Sequence, residues 1–321
     1  MARKNKLKFY SLKRINEKES KYKMIFGQRS NGKTHAVLRY ALDKYIENGE
    51  ELAIVRRWDS DFTGANSAKT YYDQLVCNGF GENEILDVTN GLFNDVVYYA
   101  GNYYLANRTE DNKLVRSDRI IARAFALNLS ERYKGGSWPQ ITTIFFDEFA
   151  TNSYYLVDEW THFTKVLSSI IRTRDNVTVY MCANTVNRYG NPYFREMGIN
   201  KIHKMKLGQI DVYEYGNSDL RVAVEYADGF GEKGSPSDVY FAFDNPKLKM
   251  ITSGAWEFNI YKHLSDAQLP EKIKDKHIYL YYFIELEEVT LQAEIIIMGD
   301  VSITYIHRKT TPIKDRNTDA E

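Results

Sequence analysis

Gly27-Gln28-Arg29-Ser30-Asn31-Gly32-Lys33-Thr34 satisfies the phosphate-binding pattern G-x-x-x-x-G-K-[ST] at every position. The pattern has a physical basis. Glycines let the backbone bend so that successive N–H groups, here from Gly27, Gln28, Arg29, Ser30, Asn31 and Gly32, converge on a phosphate. Lys33 then reaches the β- and γ-phosphate oxygens and the Thr34 hydroxyl meets Mg²⁺, so the stretch implies ATP and Mg²⁺. Its flanks agree. Residues 23–26 form a short apolar run of strand type, and residues 33–48 have the periodicity of a helix closed by Gly49. His35 follows Thr34 in the first turn; it flanks the nucleotide as a helix residue rather than as a catalyst.

About 110 residues on, Gln140-Ile-Thr-Thr-Ile-Phe-Phe-Asp147-Glu148-Phe149 is an apolar, β-branched and aromatic run ending in two carboxylates. A strand buried on both faces has this composition, and in a parallel sheet its acids emerge at the carboxyl edge, where ligands bind. Asp147 is the expected outer ligand of Mg²⁺. Glu148 is placed to polarise a water against the γ-phosphate. A strand ending in Asp-Glu would, taken alone, read as the start of a capped helix; behind a matched phosphate loop it reads as the second half of the site. A water-activating glutamate points to an NTPase and away from a kinase, whose acceptor is a substrate hydroxyl.

Residues 51–58 read as the next strand, giving a βαβ unit, and residues 68–79 as a helix. Residues 95–107 alternate like a hairpin turning at Gly101-Asn102, and residues 118–127 are a further strand candidate. Trp160, Phe163, Val166, Leu167 and Ile170 give residues 158–172 a helical period, and residues 177–183 form a buried strand ending in Asn184. This order fits the additional-strand class of P-loop ATPases, in which one strand separates the phosphate loop from the acidic strand. Asn184 then falls where these folds keep a γ-phosphate sensor, although an Asn can equally cap a strand end. The expected fold is an α/β P-loop NTPase with a parallel central sheet, followed by a small β-rich domain. The expected boundaries are a basic arm at 1–22, an ATPase domain at 23–205, a linker at 206–230 and a β-rich domain at 231–321. Within the last, residues 279–286, 289–298 and 301–307 read as a β-meander.

Composition narrows the partners. Lys+Arg and Asp+Glu are equal at 43 each, so no global field draws nucleic acid and any such contact is local. Residues 1–23 hold nine basic residues against Glu17 and Glu19, a solvated arm or a contact for a polyanion. Cys77 and Cys182 lie far apart, without metal-ligand spacing; both read as small core residues of a protein from a reducing compartment. The six histidines form no metal pattern, and no run of about 18 apolar residues suggests a membrane span. The expectation is a soluble intracellular protein. The 25 tyrosines carry no reading by themselves.

The sequence resembles the DNA-packaging ATPases of small short-tailed phages of the phi29-like type. The resemblance rests on the 27–34 loop, the strand ending Val55-Arg56-Arg57-Trp58 and the Phe145-Phe146-Asp147-Glu148-Phe149 block. It continues with Ile170-Ile171-Arg172-Thr173-Arg174 and a segment running from Cys182-Ala183-Asn184 to Asn191-Pro192-Tyr193-Phe194. It covers residues 26–194 well and the rest weakly. It implies an FtsK-HerA-terminase-like motor that hydrolyses ATP to drive double-stranded DNA into a procapsid. It also implies a homo-oligomeric ring, a pentamer in this family, at the portal (connector) vertex in the host cytoplasm, with a structural packaging RNA as a further partner. Arg172 matches an arginine offered in trans to a neighbour's ATP, with Arg174 as runner-up, and Arg56 or Arg57 matches an arginine placed over the nucleotide in cis. The related large terminases carry an RNase H-like nuclease, reduced and vestigial in this type. Ala150-Thr151-Asn152-Ser153 lacks the charges expected for gripping DNA, so DNA contacts do not transfer by position.

A nucleotide-gated assembly switch and an active terminase nuclease remain as alternatives. Glu225, Asp244, Glu285 and Glu287 are the acids available to a nuclease. The expectation is instead a domain that docks DNA, RNA or the portal through Lys201, Lys204 and Lys206 or the 272–276 segment.

Overall fold

The computed structural model describes residues 10–28, 31–63, 67–151, 154–184, 191–216, 218–227, 277–286, 289–298 and 301–309. Compact packing divides the chain into Met1–Glu257 and Phe258–Glu321. In the first unit the elements run α1 (Lys13–Asn16), β1 (Tyr22–Gly27), α2 (Lys33–Asn48), β2 (Glu51–Arg56), α3 (Asp73–Val76) and α4 (Glu84–Val88). They continue β3 (Asp95–Tyr99), β4 (Asn102–Arg108), β5 (Leu114–Ala126), β6 (Ile141–Asp147), α5 (Glu159–Ile171), β7 (Thr178–Asn184), α6 (Pro192–Glu196), β8 (Ile210–Glu214) and β9 (Arg221–Ala227).

These nine strands form one sheet in the order β3-β4-β5-β2-β6-β7-β1-β9-β8. From β5 through β9 every neighbouring pair is parallel, while β3, β4 and β8 add antiparallel edges. β7 therefore stands between the strand of the phosphate loop and the strand of the two acids, the arrangement of the additional-strand class.

Side chains alternate across the strands and meet helices on both faces. Ile25, Leu52 and Ile54 pack with Val37, Leu38 and Leu42 of α2. Met24, Phe26, Ala53 and Val55 pack with Phe163, Val166, Leu167 and Ile170 of α5. Gly27 has a steric reason: a Cβ there would lie 2.6 Å from the Ala227 carbonyl oxygen on β9, so the loop leaves β1 against its neighbour only if residue 27 is glycine.

Three expectations need correction. Residues 210–214 and 221–227, read as linker, are strands of the main sheet; Tyr22–Gly27 pairs in parallel with Val222–Ala227, a pairing that leaves no local turn signal. Described residues of the expected N-terminal arm are part of the core. Leu12 and Ile15 are buried, the Tyr10 hydroxyl donates to buried Glu225 at 2.5 Å, and the Tyr10 N–H donates to the Asn31 carbonyl at 2.9 Å. The expected 68–79 helix is broken into a 3₁₀ turn at Ser67–Thr70 and the single turn α3, with Tyr71 and Tyr72 between them. The 95–107 hairpin forms, turning at Ala100 and Gly101, both at positive φ.

Taken by itself, the second unit holds a three-stranded antiparallel sheet of β10 (His277–Leu286), β11 (Val289–Met298) and β12 (Val301–Arg308), the expected meander. Asp244, Glu287 and the 272–276 segment lie outside the described residues. Among the described residues, no helix is long and apolar enough to cross a membrane.

Candidate nucleotide-binding site

Because β1, β7 and β6 are parallel and in register, their carboxyl ends meet. Gly27 pairs with Asn184 and Asp147 with Cys182. A cavity of about 430 Å³ opens at this edge, lined by residues 31–35, Tyr71, Gln74, Cys77, Gly79, Asp147, Glu148, Ala183 and Asn184. Cys77, expected in the core, is exposed on its rim, whereas Cys182 is buried. Arg29 and Ser30 lie outside the described residues.

Gly32 caps α2 with φ +90°, a conformation suited to glycine. The turn buries Lys33, whose ammonium donates to the Gln28 carbonyl at 2.7 Å and to Asn31 Oδ1 at 3.0 Å. Burial pushes this amine down to about 8, with Asp147 among the groups that pull it back up. Thr34 Oγ1 lies 3.4 Å from Asp147 Oδ1. One hydroxyl and one carboxylate at a cavity wall suit Mg²⁺, which keeps several waters and shares its remaining positions with substrate phosphates. Asp147 is largely buried, and this desolvation raises its carboxyl above the usual range despite Arg56 and a bond from Tyr71. The Tyr71 hydroxyl donates to Asp147 Oδ2 at 2.9 Å.

Arg56, at the end of β2, joins both acids. Its Nη2 donates to Glu148 Oε2 at 2.8 Å, its Nη1 lies 3.8 Å from Asp147 Oδ2 and 3.1 Å from the Tyr71 hydroxyl, and its Nε bonds Asp61. Burial opposes the guanidinium charge, but Tyr71, Glu148, Asp147 and Asp61 outweigh it and hold the group above its ordinary range. Arg57, the other candidate for a cis arginine, turns away from the cavity and is paired with buried Glu159.

His35 lines the cavity and meets Glu84 Oε1 at 2.9 Å, so it also ties α2 to α4. Asn184 ends β7 on the cavity wall. Arg172 lies elsewhere. It caps α5 at φ +52°, is exposed, and donates to the Gly136 carbonyl. Arg174 donates to the carbonyls of Pro139 and Ile141 at 3.0 and 2.7 Å, and to those of Trp138 and Ile170 at 3.3 and 2.6 Å. Both arginines are thus anchored near the amino end of β6. The strand's six steps from Ile141 to Asp147, roughly 20 Å at about 3.3 Å per residue, separate that end from the acids. Tyr71 and Glu159 escape a sequence reading because their partners Asp147 and Arg57 are remote; Tyr71 carries no motif.

Residues 73–214 match the sequence profile of the family described as Podovirus DNA encapsidation protein (Gp16). The DNA packaging protein of Bacillus phage B103 is 25% identical over 246 residues, which cover 67% of this chain and 68% of that protein. The chain is similar in sequence to DNA packaging proteins of phi29-like phages. Against the DNA packaging protein of Bacillus phage phi29 itself it is 24% identical over 189 residues, 58% of this chain, and spans about half of that protein, 49% of its length. Two solved structures share the fold of this chain. The N-terminal domain of the phi29 DNA packaging ATPase matches with a TM-score of 0.52 at 19% identity, covering 70% of this chain and 99% of that one. The phi-28 gp11 DNA packaging motor matches with a TM-score of 0.53 at 19% identity, covering 94% and 80%. The profile takes in Asp147, Glu148, Arg172 and Asn184, while the 27–34 loop precedes it.

Proposed function

We propose that this chain hydrolyses ATP to drive double-stranded DNA into a viral procapsid, acting within a homo-oligomeric ring at the portal vertex in the host cytoplasm. The observation that carries the proposal is the convergence of Lys33, Thr34, Asp147 and Glu148 on one cavity at the carboxyl edge of a packaging-type sheet. In this reading the backbone around Gly32 and the Lys33 ammonium bind and orient the phosphates. Thr34 and Asp147 hold Mg²⁺, which when bound neutralises charge on the β- and γ-phosphate oxygens. Glu148 takes the proton of the attacking water. Arg56, bonded to Glu148 at 2.8 Å, governs where that carboxylate points, and Asn184 faces the γ-phosphate position. A ring supplies what the subunit lacks, because Arg172 sits a strand's length from its own acids and is available to a neighbour's.

For the second unit we propose docking of DNA, a structural RNA or the portal, without cutting. Of the four acids considered for a nuclease, Glu225 belongs to β9 of the first unit and is bonded to Tyr10, which supports this reading. Lys201, Lys204 and Lys206 are exposed on the first unit and remain candidates for a polyanion contact.

The direct test is Glu148→Gln. The variant is expected to bind ATP with near wild-type affinity and turn it over at least ~100-fold more slowly, the loss typical of a missing general base. Turnover at the wild-type rate would remove Glu148 from that role.

A further inference from the structure

Glu148 has a backbone φ of +58°, the left-handed region that a residue bearing a Cβ keeps only where its surroundings impose it. One side chain supplies much of that constraint. Arg57 Nη1 donates to the Glu148 carbonyl at 3.3 Å, and Arg57 Nη2 donates to the Phe149 carbonyl at 3.1 Å. Arg57 is in turn gripped through a fork by Glu159, with Nε to Oε2 at 2.7 Å and Nη2 to Oε1 at 2.8 Å. Glu159 also accepts the Tyr193 hydroxyl at 2.6 Å and the Leu156 N–H at 2.8 Å. The Tyr155 ring lies 5.0 Å from the guanidinium. Arg57 is 7% exposed, Glu159 2% and Tyr193 0%.

Burying an ion pair this deeply is a poor route to stability, since apolar residues of similar volume commonly do as well or better. What the pair adds is direction. A planar fork held on one side by a carboxylate offers its remaining N–H groups at fixed angles, and here they are aimed at the two carbonyls of the turn that carries Glu148. The cluster also reaches α6, the helix that follows the Asn184 strand, through Tyr193.

We propose that Arg57 is a positioning residue: clamped by Glu159 and Tyr193, it fixes the left-handed turn at Glu148 and so aims the water-activating carboxylate into the cavity. The inference rests on the ATPase reading above.

The test uses the full chain with Arg57→Met and Glu159→Leu combined, which removes both charges and leaves the space filled. Near wild-type melting temperature, unchanged binding of a fluorescent ATP analogue and unchanged KM are expected, with kcat lower by ~10–100-fold, the scale set by misplacing a reacting group by about 1 Å. A purely structural clamp would move the melting temperature and spare kcat, so a folded double variant with wild-type kcat overturns the proposal. Tyr193→Phe deletes one hydroxyl and decides between the two outcomes should the double variant not fold. Its kcat is expected to fall roughly 3–10-fold, the loss of one charge-assisted bond, with KM unchanged, and a wild-type kcat overturns the proposal equally. Absence of ATP turnover in the wild-type chain would instead sink the ATPase reading.

Discussion

Arg172 and Arg174 stand two positions apart in the chain and are used differently. Arg174 makes four hydrogen bonds to backbone carbonyls, including Ile170 at the open end of α5, so its guanidinium is committed to holding that corner together. Arg172 is exposed and makes one such bond, to Gly136, which leaves it the better candidate for a neighbour's nucleotide. Arg172→Ala should abolish most turnover, because an arginine finger contributes roughly 10³–10⁵ in rate. Mixing it with Glu148→Gln subunits, inactive but arginine-intact, should restore part of the activity. Titration of the mixture checks this, and no rescue at any ratio would argue against action in trans. At this scale the sequence was informative where chemistry needs a local motif, as at Gly27, Lys33, Thr34, Asp147 and Glu148. It was silent where a role depends on contact across the fold. Tyr71 meets Asp147 across 76 positions and Arg57 meets Glu159 across 102, and nothing in either residue's neighbourhood announces the partner.

Among the elements, long periodic segments were legible and short or irregular ones were not. α2 and α5 follow their apolar stripes, whereas the 68–79 run breaks because Tyr71 and Tyr72 are drawn to the acidic strand and into the core. The chain between α3 and the next helix, α4, is secured by Glu84 at the start of α4. Its carboxylate accepts from Arg39 Nη1 at 2.7 Å and Asn78 Nδ2 at 3.0 Å and pairs with His35 at 2.9 Å. Burial alone would raise this carboxyl, but the bonds from Asn78, Arg39 and His35 outweigh it and hold it below the ordinary value of 4.5. A depressed carboxyl contributes stability that is present above its unfolded value and disappears as pH falls through the folded one. Glu84→Gln should therefore cost about 1–3 kcal/mol at pH 7, and the gap should narrow as pH falls below the ordinary carboxyl value of 4.5 and the wild-type carboxyl protonates. Denaturant unfolding across pH measures it; a gap of constant size would mean that the charge of Glu84 contributes nothing.

For the whole molecule, equal numbers of acidic and basic residues mean that long-range attraction cannot gather DNA, so any coupling to DNA passes through particular local contacts. The parallel core was foreseeable from strand order, yet its far edge was not, since β9 joins β1 across nearly two hundred residues with no turn to betray the pairing. The proposed activity is ATP hydrolysis in the cavity between the phosphate loop and the acids, in the service of DNA movement. Steady-state ATP turnover of the full chain with Mg²⁺, measured with and without double-stranded DNA, tests it most directly. Turnover should rise when DNA is added; ATP-dependent oligomerisation with no steady-state turnover in either condition would contradict that function and make the chain a nucleotide-gated switch.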